Sequence, residues 1–118
     1  KIVPIVSVQN RYSFADREWD GLVNRCDELG IAFMPWAPLR QNRETNSALE
    51  DAAAELKATP FQIALAWLLR RSRIMLPIPG TSSVSHLEEN IAAGDLMLPE
   101  SLFASLSAIT PAPATLRG

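Results

Sequence analysis

Gly30-Ile31-Ala32-Phe33-Met34-Pro35-Trp36-Ala37-Pro38 is the stretch on which the fold turns. From Ile31 to Trp36 every residue is apolar, without the alternation of a half-solvated strand. The run therefore predicts a short strand buried on both faces and ended by Pro38. Gly30, lacking a Cβ, suits the left-handed residue that closes a helix. That helix is legible just upstream, where Trp19, Leu22, Val23, Cys26 and Leu29 recur at helical spacing and Asp16 is the expected N-cap. Further back, Ile2 to Gln9 is another nearly continuous apolar run and predicts a second doubly buried strand.

Downstream, Arg40 to Ser47 is polar and aperiodic and reads as a loop. A short helix follows from about Ala48 to Lys57, with Leu49, Ala52, Ala53 and Leu56 on its inner face. Thr59-Pro60-Phe61-Gln62 restarts helix: a capping box with proline at the first helical position, where no donor is lost. Ile63 to Leu69 make this helix apolar nearly all round, so it needs cover on two sides. Arg70, Arg71 and Arg73 close it, read as a solvated end favoured by the helix dipole. Ile74 to Pro79 is a third strand, and Gly80-Thr81-Ser82-Ser83 turns out of it. Ser85 and Glu88 form the expected capping box of a helix ending near Gly94. A last amphipathic helix starts around Pro99 with Leu102, Phe103, Leu106 and Ile109, and residues 111–118 read as a mobile tail.

Alternating strands and helices imply parallel pairing through right-handed crossovers. Periodicity leaves two architectures open, a doubly wound sheet or part of a (β/α)8 barrel, and slightly favours the open sheet, since a barrel needs about 250 residues. Three strands leave two parallel edges bare, and the chain opens directly on a buried strand; both suggest that further sequence belongs upstream.

The chain has 118 residues with 11 basic against 13 acidic side chains, and no basic block of the kind that binds nucleic acid. The longest apolar stretch is too short to span a bilayer, and no secretory leader stands at Lys1. The single Cys26 forms no internal disulfide and reads as a core residue. A soluble, cytoplasmic domain that binds neither nucleic acid nor membrane is expected.

Ligands of parallel α/β folds gather at the carboxyl ends of strands. At those ends Gln9 offers an amide that donates and accepts, and Trp36 a flat face for stacking. Gly80, Thr81, Ser82 and Ser83 offer hydroxyls before a helix N-terminus, which suits a phosphate. Each also has a plain structural reading: a satisfied core glutamine, a core tryptophan, a turn with its cap. His86, one residue past Ser85, is expected to point outward or toward whatever the cap region binds. No metal-ligand spacing appears. Tyr12 needs a lowered pKa to act at neutral pH, and Lys1 and Lys57 stand in the wrong places, so no complete acid–base pair is visible.

Val8-Gln9-Asn10-Arg11-Tyr12-Ser13, the Gly30–Leu39 segment, Thr59–Trp67, and Ile78–Ser83 with His86–Asn90 together resemble the aldo/keto reductase family, over about Ile2 to Ile109. The resemblance implies the barrel: residues 1–110 as its C-terminal part, the last three βα units. It implies an NADP(H)-dependent oxidoreductase reducing carbonyls to alcohols. By the same resemblance Gln9 binds the nicotinamide carboxamide, Trp36 stacks on the ring where tyrosine is usual, and Ala37 and Leu39 run beneath the pyrophosphate. Gly80, Thr81 and Ser82 hold the adenosine 2′-phosphate, with His86 where many members have arginine, and Glu89 and Asn90 contact adenine. Lysine is common where Gly80 stands, so NAD remains the alternative cofactor. The family's catalytic Asp, Tyr, Lys and His match nothing in this chain, so it is expected to be inactive alone. The alternative is a non-catalytic fragment that binds nucleotide, or that self-associates or joins a missing N-terminal half to cover its strand edges.

Overall fold

Residues 2–111 are described by the computed structural model of the chain. β1 (Ser7–Arg11) and β2 (Ala32–Trp36) pair in parallel, with Ser7 opposite Ala32 and Arg11 opposite Trp36. The helix between them, α1 (Asp20–Leu29), makes the crossover and closes on Gly30 at φ 65°, the left-handed cap that the glycine allows.

The third strand is reduced to a single parallel bridge, Phe33 to Met75. The Phe33 amide donates to the Ile74 carbonyl at 2.9 Å and the Leu76 amide to the Phe33 carbonyl at 2.8 Å. The next donor in that ladder belongs to Pro35, which has none, and Pro77 and Pro79 lack theirs too. Ile74 to Pro79 therefore lies alongside β2 without forming the expected strand.

The N-terminal run also departs from expectation. Ile2, Val3, Ile5 and Val6 are exposed, and the strand begins only at Ser7. Pro4 contributes no amide, and among the described residues no element covers this run. Its composition invites burial; its neighbours do not supply it.

Asp16 does not cap α1. It is buried, exchanges backbone hydrogen bonds with Ser13 at 3.0 and 3.1 Å and forms an ion pair with Arg11, so the helix starts four residues later. Trp19, now at the N-cap, and Leu29 are consequently exposed, while Val23 and Cys26 reach the core. The stretch read as a loop is helical from Arg43: α2 (Arg43–Leu56) starts on a capping box in which the Asn42 side chain accepts the Thr45 amide at 2.9 Å. α3 (Pro60–Arg71) has the expected Thr59–Gln62 box, with bonds of 3.0 and 3.2 Å, and Ile63 to Leu68 are buried. α4 (Val84–Ala92) is capped by Ser83 rather than Ser85, whose hydroxyl instead meets that of Ser83 at 3.0 Å. A 3-10 turn (Ala93–Asp95) leads to α5 (Glu100–Ala108). The tail expected over 111–118 lies, from residue 112 on, outside the described residues.

The core is an aromatic knot around Trp67 of α3. Tyr12 stacks on it at 6.4 Å, Phe14 meets it edge-on at 5.3 Å, and Phe33 meets Tyr12 edge-on at 5.9 Å. The basic end of α3 is not simply solvated. Arg71 donates to Asp20 at 3.2 Å and Asn24 at 2.7 Å, and Arg70 binds Glu100 and the Leu98 carbonyl. No helix among the described residues is long and apolar enough to cross a membrane.

Candidate functional site

Strand parity decides what the sheet presents. Phe33 and Met75, buried, and Val8, half-buried, point to the helices. Gln9, Met34, Trp36 and Leu76 alternate with them and point the other way. On that face Gln9, Trp36 and Leu76 are exposed, Trp36 at 43%, and Arg11 and Met34 are half-buried. Gln9 is opposite Met34, and Trp36 lies one same-face position further along, so the amide and the indole are diagonal neighbours. Among the described residues the sheet is thus clothed by helices on one side, and the side that carries Gln9 and Trp36 is largely open.

Beyond Trp36 the chain leaves the sheet through Ala37 at φ 51°. A left-handed alanine costs roughly 1 kcal/mol, and such strain gathers where a backbone must be aimed. Pro38 is buried and Leu39 half-buried, and the Arg40 amide closes the turn onto the Ala37 carbonyl at 3.1 Å. Arg11, opposite Trp36 at the strand end, is tied to buried Asp16 and to Glu18, the latter at 3.1 Å.

Gly80, Thr81, Ser82 and His86 form a second, exposed group at the entry to α4. The Thr81 hydroxyl accepts the Ser83 amide at 3.1 Å, and Ser83 in turn receives the His86 amide at 3.5 Å. Glu89 and Asn90, half-buried one turn later, sit where Gln62 of α3 holds the Glu89 carbonyl at 3.1 Å. Parallel pairing sends the segments after β1, β2 and Leu76 out of one edge of the sheet. Gln9, Trp36, Ala37 and Leu39 therefore share one rim. No hydrogen bond among the described residues joins the Gly80–Asn90 group to Gln9 or Trp36.

Two features escape sequence reading. Arg17 donates to the carbonyls of Phe14, Leu106 and Ser107 and lies 4.3 Å from the Trp67 ring centroid, fastening the end of α5 to the loop after β1. In the sequence it stands among Asp16, Glu18 and Asp20 and reads as one charge of a solvated run, so nothing local marks it. Tyr12 is buried, with its hydroxyl on Asp20. Burial foremost, then the hydrogen bond to Asp20 and that carboxylate's charge, push its pKa well above the ordinary tyrosine value, so it exchanges no proton with the strand face at neutral pH. Among the described residues no three His, Cys, Asp or Glu side chains are placed to hold a metal.

The model of the aldo/keto reductase family matches residues 39–111. A pyridoxine 4-dehydrogenase of Escherichia coli is 49% identical over 111 residues, 93% of this chain and 39% of that protein. An uncharacterized oxidoreductase of Schizosaccharomyces pombe is 43% identical over 105 residues, 87% of this chain and 34% of that protein. Among solved structures, a thermostable aldo-keto reductase in complex with the inhibitor epalrestat superposes with a TM-score of 0.85 at 33% identity, covering 91% of this chain and 40% of the other. An aldo/keto reductase from Klebsiella pneumoniae in complex with NADP and acetate gives 0.80 at 28% identity, covering 92% and 41%. The chain spans between a third and about two fifths of the length of these relatives. A family model matching more than half of the chain, together with relatives this similar, makes the chain a member of the aldo/keto reductase family.

Proposed function

We propose that residues 1–110 form the last three βα units of a (β/α)8 barrel and are the cofactor-holding part of an NADP(H)-dependent oxidoreductase that reduces carbonyls to alcohols. The observation that carries this reading is that Gln9 and Trp36 are diagonal neighbours on the face of the parallel sheet that the described residues leave open, toward its carboxyl end. The residues fit a nicotinamide dinucleotide. An exposed primary amide matches a carboxamide, and an exposed indole offers a ring for a ring. The strained turn at Ala37 and Leu39 lets backbone run close beneath a pyrophosphate. Hydroxyls of Thr81 and Ser82, with Gly80 open beside them, precede a nine-residue helix whose N-terminus favours a phosphate. His86 adds an imidazole there, and Glu89 and Asn90 supply polar edges for adenine.

Bound NADPH supplies the hydride. This chain binds and orients: Gln9 fixes the carboxamide, Trp36 the ring plane, and the Gly80–Ser82 turn the far phosphate. With neither lysine at position 80 nor arginine at 86, preference for NADP rests on hydroxyls and the helix dipole, so NAD is the alternative. The acid–base group comes from outside these residues, and the chain alone does not turn over a carbonyl. The exposed apolar run Ile2, Val3, Ile5 and Val6 favours a second element, as a missing N-terminal half or another copy, against the strand edge. A cytoplasmic location belongs to the same proposal.

Titrating the 118-residue chain with NADPH, by calorimetry and tryptophan fluorescence, tests the reading. Saturable binding is expected, weakened about tenfold by Gln9→Ala and by Trp36→Ala, both exposed positions. Binding indifferent to both substitutions would place the cofactor elsewhere. Sustained consumption of NADPH with a panel of aldehydes would contradict the division of labour. Light scattering at varied concentration reads self-association directly.

A further inference from the structure

On the helix layer, away from the strand face, a cleft of about 440 Å³ opens between α3, the 3-10 turn and the start of α5. Its walls are Ala66 and Leu69 of α3, Ala93 and Gly94 of the turn, and Leu96, Met97 and Leu98 of the connection to α5. Leu69 and Met97 are exposed along it, Met97 at 83%, so the cleft is an apolar surface in contact with water. The cleft is open to water, its lining mostly apolar, and its charged side chains, Arg70 and Glu100, are its polar groups.

At its polar end Arg70 faces Glu100. The Arg70 guanidinium lies 4.8 Å from the Phe103 ring centroid and donates to the Leu98 carbonyl, so it is held in place from behind. Its remaining partner is the Glu100 carboxylate, whose side chain is 82% exposed. The protein thus already shows a carboxylate seated on this guanidinium at the mouth of an apolar cleft. An exposed ion pair contributes little, so Glu100 can swing into water at small cost. A carboxylate carried on an aliphatic chain replaces it on Arg70 and covers Leu69 and Met97 as well. We propose that this cleft is a binding site for medium-chain aliphatic carboxylates, with Arg70 holding the carboxylate and Glu100 acting as the internal competitor.

Gly94 lines the cleft and is a position where bulk can be added beside it without a clash. A Cβ built there meets no atom within 4 Å, and its backbone is not in the left-handed region, so a larger side chain enters open space. Decanoate, added to the full chain below its micelle concentration and followed by calorimetry, is the probe. We expect saturable binding, lost in Gly94→Leu and tightened about two- to fivefold in Glu100→Gln, where the competitor is gone. Decanol, alike in chain but uncharged, is expected to bind about two- to fivefold more weakly. The circular dichroism melting curve of each variant confirms that it is folded. Equal binding of decanol and decanoate, binding that survives Gly94→Leu, or no saturation at all overturns the proposal. A dimer seen by sedimentation without added ligand and dissociated by Gly94→Leu also overturns it, by assigning the cleft to a second copy.

Discussion

Replacing Arg17 by Met removes the side chain whose hydrogen bonds join the loop after β1 to the end of α5. Its Nε donates to the Phe14 carbonyl at 3.0 Å, Nη1 to Ser107 at 2.8 Å and Nη2 to Leu106 at 3.1 Å. The guanidinium also lies 4.3 Å from the Trp67 centroid and 4.8 Å from that of Phe14. Two of the three carbonyls belong to the last turn of α5, where backbone acceptors lack helical partners and a cation is favoured. Each charged bond contributes about 1.5 kcal/mol net, and the ring contact about 1 kcal/mol. Burial works against these contributions, for it disfavours the charge and lowers the Arg17 pKa. The net loss expected is about 3 kcal/mol, a large share of the roughly 6–18 kcal/mol typical of a chain this size. Urea unfolding measures it as a lower midpoint at unchanged slope. Arg17→Lys, which keeps the charge but not the planar fork, recovers less than half. Hydrogen exchange at Leu106 to Ile109 should quicken in the Met variant beyond the global change, because the clasp holds that turn directly. A Met variant within about 1 kcal/mol of the parent would refute the reasoning.

Two further outcomes rest on buried groups. Tyr12 is the only tyrosine, and its folded pKa lies above its unfolded value of about 10. Its contribution to stability is therefore complete below pH about 10 and is lost as the pH rises beyond it, so alkaline unfolding and the ultraviolet signal of tyrosinate should appear together. Tyr12→Phe should flatten that alkaline decline; a tyrosinate signal well before unfolding would contradict the burial. Cys26, buried and with its pKa raised by desolvation, should react with a thiol reagent only as fast as the chain opens, and urea at sub-denaturing levels should speed the reaction. Immediate reaction of the native chain would place Cys26 at the surface.

Where the sequence was readable, the signal was local and self-contained. The Thr59–Gln62 box needs only residues three apart, and Gly30 needs only its own φ; both stand where the pattern puts them. The start of α1 was misread because Asp16 has two competing uses, and an ion pair with Arg11 five residues back won over capping. The start of α2 was missed because Asn42 and Thr45 are a less familiar box than Thr with Gln, though the chemistry is the same. Ser83 displaced Ser85 as a cap for a similar reason: several hydroxyls stand in a row, and only the tertiary path chooses among them. The clasp of Arg17 on α5 and the ties of Arg70 to Leu98 and Glu100 are not legible in the sequence, since those partners lie 89–90 and 28–30 residues away.

The reading of burial failed in an informative way. Ile31 to Trp36 is apolar at every position, and such a strand calls for cover on both faces. The described structure supplies one cover, over Phe33 and Pro35, and leaves Trp36 exposed with Met34 half-covered. The mismatch falls on alternate residues, as pleating requires, and Gln9 belongs to the uncovered set. Gln9 shares that face with Ser7 and Arg11 of its own strand and stands across from Met34 and Trp36, so one strand gives the face polar groups and the other apolar ones, a mixture unlike a face meant only for packing. On a face that also receives a polar ring ligand it is in place. Removing Gln9 should therefore cost binding and leave stability unchanged, whereas a packing residue such as Phe33 should do the reverse.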